Sequence, residues 1–235
     1  MPSTKKILHF MSSALATSIS VGLIGYGMSA QWVKTTMECA QKNSNGSAEI
    51  YNGSAEITLT LFDGIIKRVS CPLFGATDEF QVIPTLAGRE IAPVVLQGLV
   101  ICLLALCLLF SACSILISLY NSVSNPYETY MGPVGVYICS SLSACLSVIV
   151  LILFVVNVTA TNMAETFVET YTEGFAVKLK GKASEMQVGY YLVIPYTVLS
   201  LIAIALIYTY EHAAYTRKKE QQKPTEDAPM DLTMY

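Results

Sequence analysis

Charge is what this sequence most conspicuously lacks. Only 13% of its 235 residues are Asp, Glu, Lys or Arg, about half the share of an ordinary soluble domain. The shortfall is concentrated in four blocks. Between Ile91 and Ala164 a single formally charged side chain stands, Glu128, and residues 7–30 carry none beyond whatever His9 contributes. Apolar blocks without a carboxylate, lysine or arginine offer no proton relay and no buried ion site, which tells against a transporter. Histidine is scarce too, with His9 and His212 near opposite chain ends. The cysteines inside the blocks, Cys102, Cys107, Cys113, Cys139 and Cys145, follow no zinc spacing. No glycine loop suited to phosphate is present, and no serine or cysteine nucleophile sits beside a base. The reading is therefore of a protein that is not an enzyme and needs neither metal nor cofactor. A net charge of −3 and no basic face interleaved with aromatics give no footing for a nucleic-acid partner.

What the sequence does have is oil: 53% of it is hydrophobic. Four blocks are long enough to cross about 30 Å of hydrocarbon as helices. They cover residues 7–30, 91–119, 132–156 and 189–210. Lipid solvates no charge and cannot pair a bare N–H or C=O, so such blocks are expected as helices in a bilayer. Residues 1–6 form a short tail, and residues 120–131 a connecting loop rich in turn formers. Pro133 suits the first turn of the third span, where its missing N–H costs nothing. Pro195 should kink the fourth span or end a first turn. In the first span Ala14, Ser18 and Gly22 recur every four residues, the spacing of small residues that lets a second helix approach closely. A cleaved signal peptide competes for residues 7–30, but the apolar run exceeds the usual ~7–15 residues and Met28 suits a cleavage site poorly.

Residues 31–90 are polar and begin with Trp32, the only tryptophan, placed where a membrane-interface anchor would sit. A tandem repeat follows, Asn45–Tyr51 and then Asn52–Thr58, each copy opening on a glycosylation acceptor. A recent duplication with chance acceptors is the plainer alternative. Ile57, Leu59 and Leu61 alternate with threonines, Asp63-Gly64 is a hairpin turn signal, and residues 65–71 return as a strand. Cys39 and Cys71 either tie this hairpin to the start of the segment or remain two free thiols. Residues 157–188 read as a shorter polar loop. Its first residue, Asn157, opens another acceptor motif, expected to go unused so close to the membrane. Residues 211–235 read as a disordered tail with Arg217-Lys218-Lys219 and a final Thr233-Met234-Tyr235, a pattern that suits strand addition to a PDZ-type groove. Lysine and arginine counts do not fix the orientation. The acceptors Asn45 and Asn52 and the cysteine pair favour a lumenal or extracellular first loop, with both termini cytoplasmic.

The order of parts then resembles the claudin-like superfamily: Trp32, then Leu61-Phe62-Asp63-Gly64 in a long first outer loop, then a shorter second one. Tetraspanins put the long loop second, and connexins need repeated cysteines in both loops. Within the superfamily the chain resembles the clarin family. The residues carrying this are Tyr120-Asn121, Pro126-Tyr127-Glu128-Thr129 and Gly132-Pro133-Val134-Gly135-Val136-Tyr137. The tail, Tyr215 with Arg217-Lys218, Glu220-Gln221 and Lys223-Pro224, looks like the third vertebrate branch. The resemblance implies an α-helical integral membrane protein: a four-helix transmembrane bundle with a small extracellular β-hairpin or sheet in the first outer loop. It implies a non-enzymatic plasma-membrane protein that organises or accompanies other membrane or scaffold proteins, in a family tied to sensory cells. The alternative it leaves is a claudin-like adhesion or paracellular barrier protein.

Overall fold

The computed structural model describes residues 4–41, 53–71, 75–89, 91–123, 132–172 and 177–221. The elements run α1 (Thr4–Ser29), β1 (Val33–Gln41), β2 (Gly53–Leu59), β3 (Asp63–Val69), β4 (Ala76–Gln81), α2 (Val82–Ala87), α3 (Ile91–Val123), α4 (Pro133–Ala160), α5 (Met163–Tyr171), β5 (Val177–Met186) and α6 (Val188–Gln221). Four helices are long and apolar enough to cross a membrane: α1, α3, α4 and residues Val188–Ala213 of α6. Beside them stands one antiparallel sheet in the order β4-β3-β2-β1-β5. Because α1 runs into β1 and β5 runs into α6, the sheet caps one end of the bundle. The start of α1 and the end of α6 lie at the other end.

The four long helices share one buried pattern. In α1 it runs through Phe10, Ser13, Thr17, Ser20, Ile24 and Gly27. In α3 it runs through Gln97, Val100, Leu104, Cys107, Ser111, Ser114 and Ser118. In α4 it is Val136, Ser140, Ser143, Ser147, Val150, Phe154 and Asn157, and in α6 Gly189, Val193, Tyr196, Ser200, Ala203 and Ile207. Every step is three or four residues, alternating, which is a repeat of 3.5 and gives helices that wrap left-handedly round one another. The seam is filled with small and hydroxyl residues, while Leu15, Ile19, Leu116, Ile152 and Leu201 point outward. In water this pattern would be inside out. In lipid, apolar side chains gain nothing by meeting one another, so close backbone approach and interhelical hydrogen bonds hold the helices instead.

Those bonds are present. The Tyr196 hydroxyl donates to the Cys107 carbonyl at 3.1 Å. With its one proton used, it accepts from Ser111 at 2.8 Å and from Ser143. Ser114 meets Ser140 at 3.0 Å, Ser147 meets Thr197 at 2.7 Å, and Ser13 reaches the Ala203 carbonyl at 3.3 Å. Each of the neighbouring pairs α3–α4, α4–α6 and α6–α1 thus carries a polar clasp.

The hairpin read from the sequence is β2 and β3, but its turn lies two residues earlier than Asp63-Gly64, at Leu61-Phe62. Gly64 already pairs with Leu59 inside the ladder. The loop is closed by Thr60, whose N–H donates to the Asp63 carbonyl and whose hydroxyl accepts from the Asp63 N–H. Residues 157–188, read as a polar loop, instead hold α5 and β5. Their signals were there: Met163, Phe167 and Tyr171 recur at helical spacing, and Lys178 and Lys180 flank Leu179 at strand spacing. β5 crosses back beside β1 and completes the sheet, with a bulge at Gly181, whose φ of 70° favours glycine. The last long helix continues to Gln221, past the end expected near residue 210. Glu211, Ala213, Ala214, Lys218 and Lys219 are good helix formers with the bundle as template.

Candidate functional site: the junction of sheet and bundle and the outward face of α1

Trp32 is the centre of the junction and is fully buried. It is not the membrane-interface anchor that its place in the sequence suggested. The reason is that every polar group on it finds a partner in protein. Its indole N–H donates to the Gly27 carbonyl at 2.7 Å, its own N–H to Leu59, and its carbonyl accepts from Gln187. Its ring meets Phe154 edge-on at 4.9 Å and lies 6.5 Å from Tyr190. One residue therefore joins α1, β1, β2, α4 and the start of α6. Gly189 makes room for it, since a Cβ there would come within 2.5 Å of the indole Cδ1 and 2.9 Å of the Gln31 carbonyl oxygen.

A second tie lies at the hairpin turn. Leu61 is buried, and its carbonyl accepts from the Gln97 side chain of α3 at 2.9 Å. Asn157 of α4 donates to the Gln97 carbonyl oxygen at 3.2 Å. The nitrogen a glycan would have to take is thus committed inside the bundle. Gly64 lies under Phe80, where a Cβ would come within 2.5 Å of its ring. The Leu61-Phe62-Asp63-Gly64 motif is therefore a docking turn: Leu61 faces the bundle, and Gly64 admits the ring that packs on Phe167 at 4.5 Å. Arg68 adds a third tie, pairing with Asp78 at 2.6 Å and donating to the Tyr171 carbonyl at the end of α5.

Cys39 and Cys71 form a disulfide across 32 residues, joining the far end of β1 to the residue shortly after β3. Of the small-residue row, Ala14 is buried in the seam, whereas Ser18 and Gly22 lie on the outer face of α1. A Cβ on Gly22 or Gly25 would meet nothing within 4 Å. Gly132 precedes α4, Pro133 opens it, and Gly135 lets Ile117 of α3 approach, with 3.1 Å to a built Cβ. Asn45, Asn52, Pro126, Glu128 and the terminal Thr233-Met234-Tyr235 lie outside the described residues. Among the described residues no group of three His, Cys, Asp or Glu side chains could hold a metal ion.

A family model described as Clarin-2-like matches residues 4–205. The chain belongs to the clarin family. It is similar to Clarin-3 of Homo sapiens, 32% identical over the full length of both chains, and to Clarin-3 of Mus musculus at 31%, again over both full lengths. Clarin-1 of Homo sapiens is 28% identical over 74% of this chain and 75% of that one. The fold fits a claudin-like four-span clarin: four membrane helices with a small antiparallel sheet. The buried Trp32 and the Leu61–Gly64 turn, which carried the superfamily resemblance, both belong to the joint between sheet and bundle. Sequence reasoning missed Gln97, Asn157 and Gly189 as parts of that joint. A lone glutamine in an otherwise apolar span was the available signal, since burying an amide in a membrane helix is costly without a partner.

Proposed function

We propose that this clarin-family protein is a non-enzymatic organiser or accessory subunit of the plasma membrane, working through lateral contacts within the bilayer and through its sheet outside it. In this reading the sheet is extracellular and glycosylated at Asn45 and Asn52. Both termini are cytoplasmic, and Thr233-Met234-Tyr235 offers a strand to a PDZ-type scaffold groove. The family's sensory-cell setting is the tissue in which such a role is first sought. The observation that carries the reading is the open outward face of α1, where Ser18, Gly22 and Gly25 leave backbone accessible to another helix. The spans supply no charged path for a solute, and the bundle seam is already closed by its own hydroxyls, so recognition falls to outward surfaces.

The test is Gly22→Leu. It fills open space and leaves the bundle intact, so the protein should keep its thermal stability and lose co-purifying membrane partners or surface delivery. If partners and delivery are unchanged, α1 is not the contact face. Transepithelial resistance and cell-aggregation assays separate this reading from adhesion or barrier formation, which would respond to changes on the sheet and not on α1.

A further inference from the structure

Five free thiols lie within the membrane helices, and the register of α3 against α4 brings two of them together. Ser111 meets Ser143, Ser114 meets Ser140, and Ile117 packs on Gly135. One number rises as the other falls, so the two helices run antiparallel and each contact fixes the next. One turn nearer the sheet than Ile117 and Gly135, four residues back on α3 and four further along α4, Cys113 stands opposite Cys139. Each is the residue just before a serine of the Ser114–Ser140 clasp, and the two thiols are near enough to interact electrostatically. Gly135, with only 3.1 Å from a built Cβ to Ile117, lets α3 and α4 close up beside them. Close approach is what a disulfide requires, about 5.5–6 Å between Cα atoms.

The other three thiols are placed differently. Cys107 is buried and donates to the Ser143 carbonyl at 3.6 Å, while Cys102 and Cys145 stand exposed on separate helices. Cys113 and Cys139 are half-buried, and Leu116, Ile138 and Leu142 around them point outward. The pair therefore sits at the lip of the α3–α4 seam. Cys139 lies about 9 Å inside the start of α4, at the depth of lipid acyl chains.

That depth selects the chemistry. Attack on a peroxide or a disulfide needs a thiolate, and hydrocarbon penalises the bare charge. Giving up a neutral hydrogen atom needs no charge. The oxidants that arise among acyl chains and take hydrogen atoms are lipid peroxyl radicals. We propose that Cys113 and Cys139 are a hydrogen-atom-donating pair that quenches lipid peroxyl radicals and closes to a disulfide between α3 and α4. Each of two peroxyl radicals takes the hydrogen atom from one S–H bond and becomes a hydroperoxide. The two sulfur radicals left facing each other combine into one S–S bond. Two thiols and two peroxyl radicals thus give one disulfide and two hydroperoxides. A lone thiol such as Cys102 completes only the first half, because its sulfur radical has no partner. This chemistry leaves the α1 face unused and holds whichever way the sheet faces.

The experiment places the full chain in nanodiscs of dilinoleoyl phosphatidylcholine and adds a lipid-soluble azo initiator in air. After alkylation of the surviving thiols and digestion without reductant, mass spectrometry counts the linked peptides. Cys113–Cys139 should exceed any other pairing of the five thiols by about tenfold, as the high effective concentration of facing groups allows. Cys113→Ser should abolish that link while Trp32 emission, which reports the fold, stays where it was. Cys102→Ser/Cys145→Ser should leave the link intact. The lag before conjugated dienes accumulate should be longer with the wild type than with Cys113→Ser/Cys139→Ser. Absence of the Cys113–Cys139 peptide, equally frequent links to Cys102 or Cys145, or a lag unchanged in Cys113→Ser/Cys139→Ser would overturn the proposal.

Discussion

Gly189→Ala adds a single carbon at the point where the structure has least room for one. Its Cβ would come within 2.5 Å of Trp32 Cδ1, 2.6 Å of Nε1 and 2.9 Å of the Gln31 carbonyl oxygen. The ring cannot simply swing away, because its N–H is held by Gly27 at 2.7 Å and its face is closed by Phe154 at 4.9 Å. The carbonyl cannot retreat either, since it accepts from the Gly189 N–H at 2.8 Å. Overpacking of a fixed site costs about 1–3 kcal/mol. For a chain of this length that corresponds to a fall in Tm of about 5 °C. Trp32 is the only tryptophan, so its emission reports the same site without a label and should move to the red as the ring loses its enclosure. Trp32→Phe removes the edge of the indole that the new carbon strikes. In that background Gly189→Ala should cost much less, a coupling of about 1–2 kcal/mol for residues in contact. Gly22→Ala is the control: it meets nothing, and alanine is the better helix former by about 1 kcal/mol. An unchanged Tm and emission in Gly189→Ala, or equal costs with and without the indole, would refute the account of Trp32 as the joint between sheet and bundle.

Other outcomes follow from the same contacts. Gln97→Leu strands the Leu61 carbonyl and one bond of Asn157 at once, and should lower stability by about 1–3 kcal/mol, the cost of unsatisfied buried polar groups; thermal denaturation in detergent measures it. Tyr196→Phe deletes the hydroxyl shared by Cys107, Ser111 and Ser143 and should cost about 1–2 kcal/mol, near the upper end for one interhelical site in a membrane protein. Cys39→Ser/Cys71→Ser opens a 32-residue loop and should destabilise the sheet by about 3–4 kcal/mol on the chain-entropy model. Limited proteolysis should then cut within the sheet at lower protease concentration while the membrane helices stay protected.

How much of this was legible beforehand differs between bundle and sheet. The spans declare themselves because lipid forbids charge, and that rule acts residue by residue along the chain. The 3.5-residue seam was also written there, in Ser111, Ser114, Ser140, Ser143 and Ser147, but a serine row reads as weak polarity until the inside-out logic of lipid is applied to it. The hairpin was legible from the alternation of Ile57, Leu59 and Leu61, whereas its turn was not. Asp63-Gly64 has the sequence of a tight turn, yet Thr60 closes the loop around Leu61-Phe62, two residues earlier, and Gly64 sits beneath Phe80. β5 was missed because its lysines looked like a solvated loop; only the long-range pairing with β1 shows them as the outward row of a strand. The same limit applied to Trp32. Its place after a span is where an anchor belongs, and only β2, α4 and α6, brought in from far along the chain, bury it. The small-residue row was half legible: the spacing of Ala14, Ser18 and Gly22 marks a helix face, but not whether that face meets the bundle's own helices or an outside one.

The central claim is that one end of this clarin-family bundle, the end bearing the sheet, projects outside the cell while both termini remain within. Glycan mapping in mammalian cells tests it most directly. Digestion with peptide:N-glycosidase should increase the mobility of the wild type, the shift should vanish in Asn45→Gln/Asn52→Gln, and Asn157→Gln should shift like the wild type because Asn157 is buried against Gln97. A shift that persists without Asn45 and Asn52, or that disappears with Asn157 alone, would contradict the account.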